Sequence, residues 1–270
     1  MNVAELERAL LTRFPREDAE GWDHIGLSCG APDEEVAFIA CALDASLPAV
    51  EAARDLGANV FLTHHPVHIA APDAVVAAGS SYPASSRALH LAIQSGVSII
   101  SLHTNLDRSQ EARRALPARM GLTAETSLEF PDDPGRPGLG AVADTRAGAL
   151  ADFAARAAEA FGGAPRVWGD PAHRVSRVAF LGGSLGHMGD TVVAAGADAI
   201  VTGEAGYHVC QDLLLRGVAC VLLGHDRSEE PFVNILHEVA SEICPGARIA
   251  TIDGPRQWWT QMDGTEGDRS

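Results

Sequence analysis

Three short runs of the chain gather side chains that hold metal ions: Thr63-His64-His65-Pro66, His103-Thr104-Asn105-Leu106-Asp107 and His225-Asp226-Arg227-Ser228-Glu229. Adjacent histidines on extended backbone point in different directions. One can bind an ion directly while the other serves a neighbouring ion or orients a ligand. Pro66 biases His65 away from helix. His225 and Glu229 stand four apart, so on a helix they share a face and can chelate one ion. Asp107 can cap a following helix or reach a cation. Each run has a plain structural reading when taken singly. Together they supply imidazoles and carboxylates enough for two ions, in a mixture that suits zinc, iron or manganese. Two ions about 3.5–4 Å apart can clamp a phosphate or activate a bridging hydroxide.

The elements that must position these runs are short buried strands. Residues 36–43, 59–62 and 97–102 are apolar and read as strands. The two histidine runs follow the second and third of them. Residues 175–182, 199–201 and 218–223 read as further strands, and the last of them leads into Gly224-His225. Helical patterns cover residues 3–14, 46–56, 85–94, 108–120, 147–161, 208–215 and 231–243. Fully apolar strands alternating with helices predict an α/β protein with mostly parallel sheets covered on both faces. In such sheets the carboxyl ends of the strands are where sites form. Residues 131–138, with five Pro or Gly, mark the strongest break.

The two halves also resemble each other. Gly57-Ala58-Asn59-Val60-Phe61-Leu62-Thr63 aligns with Gly196-Ala197-Asp198-Ala199-Ile200-Val201-Thr202, and Val36-Ala37-Phe38 aligns with Val178-Ala179-Phe180. Two similar, interlocked lobes are expected, 1–125 and 126–260, followed by a polar tail at 261–270.

The charge balance narrows the partners. The chain has 270 residues and a net charge of -16, with 36 acidic residues against 20 basic ones. All of the basic residues are Arg. That excess argues against a nucleic-acid or anionic-membrane partner. The first residues show neither a basic nor an apolar leader region, and no apolar run is long enough to span a bilayer. Five widely spaced cysteines read as free thiols, so a cytoplasmic setting is expected. Among the eleven histidines, His90, His173 and His237 read as surface or packing residues, and His68 and His187 stay unassigned. Tyr207 and His208 can line a pocket or simply begin a helix.

At the metal-ligand runs the chain resembles the NIF-three-like family, whose members carry the name GTP cyclohydrolase I type 2 homolog. The family's W-D-N-x-G-L pattern reads Trp22-Asp23-His24-Ile25-Gly26-Leu27. Its H-H-P motif is His64-His65-Pro66, and its H-T-N-L-D motif is His103-Thr104-Asn105-Leu106-Asp107. A glycine-rich turn reads Leu181-Gly182-Gly183-Ser184-Leu185-Gly186. The T-G-D-x-x-Y-H motif is Thr202-Gly203-Glu204-Ala205-Gly206-Tyr207-His208, and G-H-x-x-S-E is Gly224-His225-Asp226-Arg227-Ser228-Glu229. His24 for Asn and Glu204 for Asp depart from the pattern, as does the turn near Leu185.

The resemblance implies a NIF-three-like fold without the inserted third domain that some members carry. It implies two divalent metal ions per subunit, with His64, His65, Asp107, His225 and Glu229 as ligands. It also implies a homohexamer, a ring of three dimers with the sites facing inward. The donor set points to metal-dependent hydrolysis of a nucleotide or another phosphorylated small molecule. His103 is the candidate catalytic proton shuttle, since an imidazole titrates near neutral pH. It could equally orient a ligand through a hydrogen bond. The competing expectation is a metal-binding regulatory or metal-trafficking protein without hydrolytic turnover.

Overall fold

The apolar segments pair into two five-stranded sheets in a computed structural model that describes residues 1–253 and 258. The expected tail at 261–270 lies outside the described residues. In the first half, α1 (Val3–Arg13) precedes β1 (Gly26–Cys29), β2 (Phe38–Ala42), α2 (Leu47–Leu56), β3 (Val60–Thr63), α3 (Pro83–Ser95), β4 (Ser98–Ser101), the single turn α4 (Thr104–Asp107) and α5 (Gln110–Arg119). The second half holds β5 (Ala141–Ala149), α6 (Leu150–Phe161), β6 (Arg166–Trp168), β7 (Arg174–Ser184), α7 (Gly189–Ala194), β8 (Ala199–Glu204), α8 (Tyr207–Leu215), β9 (Ala219–Leu222), α9 (His225–Ile243) and β10 (Arg248–Thr251).

The sheets have the orders β1-β4-β3-β2-β10 and β5-β7-β8-β9-β6. Their centres, β2-β3-β4 and β7-β8-β9, are parallel. β1, β5 and β6 join antiparallel at edges. Strands β2, β3, β4 and β9 are buried at every position, because helices cover both faces. Alternate side chains of the first sheet pack under α2 and α3, and those of the second under α7 and α8. The remaining faces share one core, in which Ile39, Leu62 and Leu102 join Val178, Phe180, Val201 and Phe232.

The expected repeat is present down to single hydrogen bonds, but the alignment of Val36-Ala37-Phe38 with Val178-Ala179-Phe180 is out by three residues: Ile39 pairs with Val60 as Val178 pairs with Ala199, so Ala37 and Phe38 correspond to Ser176 and Arg177. Asn59 Oδ1 accepts from the backbone N–H groups of Ala37 and Phe38. Its counterpart Asp198 accepts through Oδ2 from Ser176 and Arg177. Ser98 N–H donates to Asn59 O and Ala219 N–H to Asp198 O; Leu102 N–H donates to Thr63 O and Leu223 N–H to Thr202 O.

Three expectations change. Residues 147–149 belong to β5 rather than to a helix, since Gly148 and Ala149 pair with Val175 and Arg174. Sheet pairing there overrides the helix propensity of alanine. The last helix begins at His225, well before Pro231. The division at 125/126 also fails at the C-terminal end, because β10 lies in the first sheet, parallel to β2 with Arg248 opposite Phe38. With 19 residues, α9 spans about 28 Å and packs against both sheets as it carries the chain back. Among the described residues, no helix is long and apolar enough to cross a membrane.

Candidate metal centre

Parallel pairing brings the carboxyl ends of β3 and β4 to one sheet edge. His64 and His65 leave β3, His103 leaves β4, and Asp107 ends α4. Thr63 holds this edge, donating from Oγ1 to His65 O at 2.8 Å and lying 2.9 Å from Ser101 Oγ. From the second lobe, the first turn of α9 delivers His225 and Glu229. The repeat explains why this turn can come so close. Gly203 occupies the position that His64 has in the first lobe. A Cβ there would meet Gly183 O at 2.5 Å, Ser228 Oγ at 2.7 Å and His225 Cα at 2.8 Å. One at Gly183 would strike Glu229 Oε1. Glycine in the second lobe therefore makes room for the carboxylate and imidazole of α9.

His64 is fully buried. Its Nδ1 lies 3.0 Å from Leu102 O, and a carbonyl can only accept, so the proton sits on Nδ1 and the lone pair on Nε2. That Nε2 is buried without a hydrogen-bond partner, as is Asp107 Oδ1, 3.5 Å away. Glu229 Oε1 lies 3.9 Å from the same nitrogen. Lone pairs facing one another in a buried space are costly unless a cation or proton lies between them. The donors present thus fit a divalent ion.

His65 bridges two carboxylates, with Nδ1 2.7 Å from Asp44 Oδ1 and Nε2 2.8 Å from Glu229 Oε2. Burial alone would lower its pKa, but these two bonds push it up to about 10. His225 lies 3.2 Å from Glu229 through Nε2 and 3.1 Å from Glu204 through Nδ1. The bond to Glu229 chiefly carries its pKa up to about 9, against the effect of burial. Burial would raise Glu229, but the surrounding imidazoles hold it well below the usual carboxylate range. Asp107 goes the other way: burial dominates and raises it. His65 and His225 thus hold their protons between carboxylates at neutral pH.

His103 stands beside this group. Its Nδ1 lies 2.9 Å from Asp23 Oδ1, and Thr104 donates to Asp23 Oδ2 through both N–H and Oγ1–H. Burial works to raise Asp23, but the bonds from His103 and Thr104 outweigh it and lower its pKa to about 2. The ionised carboxylate keeps a proton on Nδ1, leaving Nε2 to accept one. The Trp22 ring meets His103 edge-on, with centroids 5.9 Å apart.

Two sets of donors can each gather ligand atoms within 4.8 Å of one another: His64, His65 and His103, and His65, His225 and Glu229. All six residues singled out in the sequence converge here, and His103 stands among the possible ligands as well as in position for proton transfer. Two further carboxylates, Asp23 and Asp44, went unassigned. Asp23 lay within the Trp22–Leu27 motif, and Asp44 follows β2, a third parallel strand ending at the same edge. Of the unassigned histidines, His68 packs against His24 with ring centroids 4.8 Å apart. His187 lines a cavity of about 550 Å³ that opens onto the centre.

A model of the Duf34/NIF3 (NGG1p interacting factor 3) family matches residues 1–254. A Streptomyces coelicolor protein named GTP cyclohydrolase 1 type 2 homolog is 36% identical over 213 residues, 76% of this chain and 73% of its own. Among solved structures, a Staphylococcus aureus hypothetical protein superposes with a TM-score of 0.86 at 23% identity, covering 96% of this chain and 99% of its own. A Bacillus cereus protein related to NIF3 gives 0.85 at 20% identity, with the same coverage.

Proposed function

The chain belongs to the Duf34/NIF3 family, and we propose that its buried cluster is a dinuclear centre for divalent zinc, iron or manganese in a metal-dependent hydrolase of a small molecule. The observation that carries this reading is the pair of buried, unpartnered atoms, His64 Nε2 and Asp107 Oδ1, set 3.5 Å apart beside Glu229. His64, His65, Asp107, His225 and Glu229 would hold the ions. A bound divalent ion supplies Lewis acidity and lowers the pKa of a water toward about 7.

The chain's own residues do the rest. Leu102 O and Asp44 fix the orientation of His64 and His65 through Nδ1, which sharpens an imidazole as a ligand. Asp23 keeps the His103 proton on Nδ1, so Nε2 takes and returns protons at the cavity floor. The name borne by the Streptomyces coelicolor relative supports a hydrolytic reading. A cavity opening onto the donors favours turnover over the metal-trafficking alternative, which needs no room for a substrate. A cytoplasmic homohexamer of three dimers, expected from the resemblance, belongs to the same proposal and is tested by analytical ultracentrifugation.

The direct experiment is metal analysis of untagged protein purified without chelator. About two ions per chain are expected, falling in His64→Ala. Fewer than one ion per chain, unchanged in that variant, would refute the centre. In His103→Ala, turnover should vanish while metal content holds; metal loss instead would make His103 a ligand.

A further inference from the structure

The cavity beside the centre has one floor and two walls of contrasting chemistry. Its volume of about 550 Å³ falls within the roughly 300–1,000 Å³ that encloses a small ligand. Trp22 and Ile69 form part of the first-lobe wall and remain 52% and 54% exposed. Leu139, Leu181, Leu185 and Met188 line it from the second lobe, the last three almost fully buried. A flat ring between these walls would cover the indole face and recover apolar area now in water.

Charge points the same way. Among the described residues no Arg lines the cavity, and the chain has no Lys. Glu20, Asp107 and Glu229 do line it, beside the imidazoles of His65, His103, His187 and His225, of which His65 and His225 give up their protons when they take metal. Arg108 reaches this wall through Glu20, but its guanidinium is committed to Glu20, Glu129 and the Asp18 carbonyl. The glycine-rich turn does not form a phosphate cradle. Gly183 N–H donates to Ser228 Oγ, Leu185 N–H to Glu204 O, and Gly186 N–H to Ser184 Oγ. Two divalent ions would bring four positive charges against the five carboxylates Asp23, Asp44, Asp107, Glu204 and Glu229, so the carboxylates offset the metal charge with either one ion or two. A polyphosphate entering here would meet carboxylates without the cationic forks or open backbone donors that usually receive it.

Resting on the metal-centre reading, we propose that the site takes a flat, uncharged ring molecule, its ring between Trp22 and the Leu181–Leu185–Met188 wall and its polar edge toward the centre, and that it discriminates against polyphosphates. This departs from the phosphorylated substrate that the donor set alone suggested.

The test is isothermal titration of the metal-loaded protein at physiological salt with three probes: 2-quinolone, guanosine, and GTP as its magnesium complex. Guanosine and GTP differ only in the triphosphate. Both neutral probes should bind, and GTP should bind at least about tenfold more weakly than guanosine. Trp22→Ala should weaken both neutral probes by about five- to a hundredfold, the range of one aromatic stack. Ile69→Arg, which adds a cation at the exposed rim, should narrow the gap between guanosine and GTP. GTP binding as tightly as guanosine, or neutral-probe binding indifferent to Trp22→Ala, overturns the assignment. Metal content is measured on the same samples to separate the two claims. Full metal without neutral-probe binding overturns the substrate class and leaves the centre standing. Neutral-probe binding to protein that takes up no metal leaves the substrate class standing and removes the centre.

Discussion

Replacing Asp107 by Asn should stabilise the metal-free protein while weakening the metal-loaded one. The Asp107 carboxylate has a buried oxygen without a hydrogen-bond partner, and burial raises its pKa. Leaving such a group unsatisfied costs about 1–3 kcal/mol, and more when it is charged. The isosteric amide removes the charge and can donate toward His64 Nε2, which lies 3.5 Å from the present oxygen. A gain of about 1–3 kcal/mol is expected in chelator, or roughly 2–4 °C in melting temperature per kcal/mol for a protein of this size.

The sign of the pH dependence follows from the raised pKa. The folded state penalises the ionised form, so the cost is full above the folded-state pKa. It fades as pH falls toward the unfolded value of about 3.9. The advantage of Asp107→Asn should shrink on acidification in step. With metal the order changes. At a free ion concentration of 1,000 times Kd the parent gains about 4.1 kcal/mol, whereas a variant weakened a hundredfold gains about 1.4. The two melting curves should meet or cross. Thermal unfolding monitored by circular dichroism, with chelator and with added zinc or manganese, measures both arms. If the variant is destabilised in chelator and binds metal like the parent, Asp107 is only part of a helix turn and the reasoning fails.

The raised His65 and His225 pKa values, about 10 and about 9, mean that metal must displace protons at neutral pH. Apparent affinity should therefore rise steeply from pH 6 to 9, with proton release visible as a buffer-dependent binding enthalpy; a flat profile would contradict the assigned bonds. Asp44→Asn should cost about 10–100-fold in metal affinity by loosening His65, read by competition with a chromophoric chelator. Asp23→Asn should leave metal content intact while lowering turnover and shifting its pH profile, because His103 loses the partner that fixes its tautomer. Gly203→Ala should cost about 1–3 kcal/mol or more in denaturant unfolding, since the new methyl collides with Gly183 O, Ser228 Oγ and the start of α9.

What the sequence determined by itself was the chemistry of the donors and the layered fold. The three donor runs, at His64-His65, His103–Asp107 and His225–Glu229, were legible because short apolar strands end in polar clusters and parallel sheets expose those ends together, while the choice of five ligands among them came from the family resemblance. The repeat was legible because Asn59 and Asp198 begin equivalent strands, and each strand start needs the same backbone donors satisfied. Edge strands β1, β5, β6 and β10 were not legible, because partial burial, joined in all but the parallel β10 by antiparallel pairing, erases the continuous apolar run that marks a central strand. Asp23 and Asp44 were equally hidden. A carboxylate has the same local signature whether it meets water or an imidazole, and only the fold places them 2.9 Å and 2.7 Å from His103 and His65. Tertiary structure alone decided the hydrogen-bond partners of the imidazoles, the apolar lining of the cavity and the absence of Arg from that lining among the described residues. Each of these depends on distances between segments far apart in the chain, which periodicity and spacing do not encode.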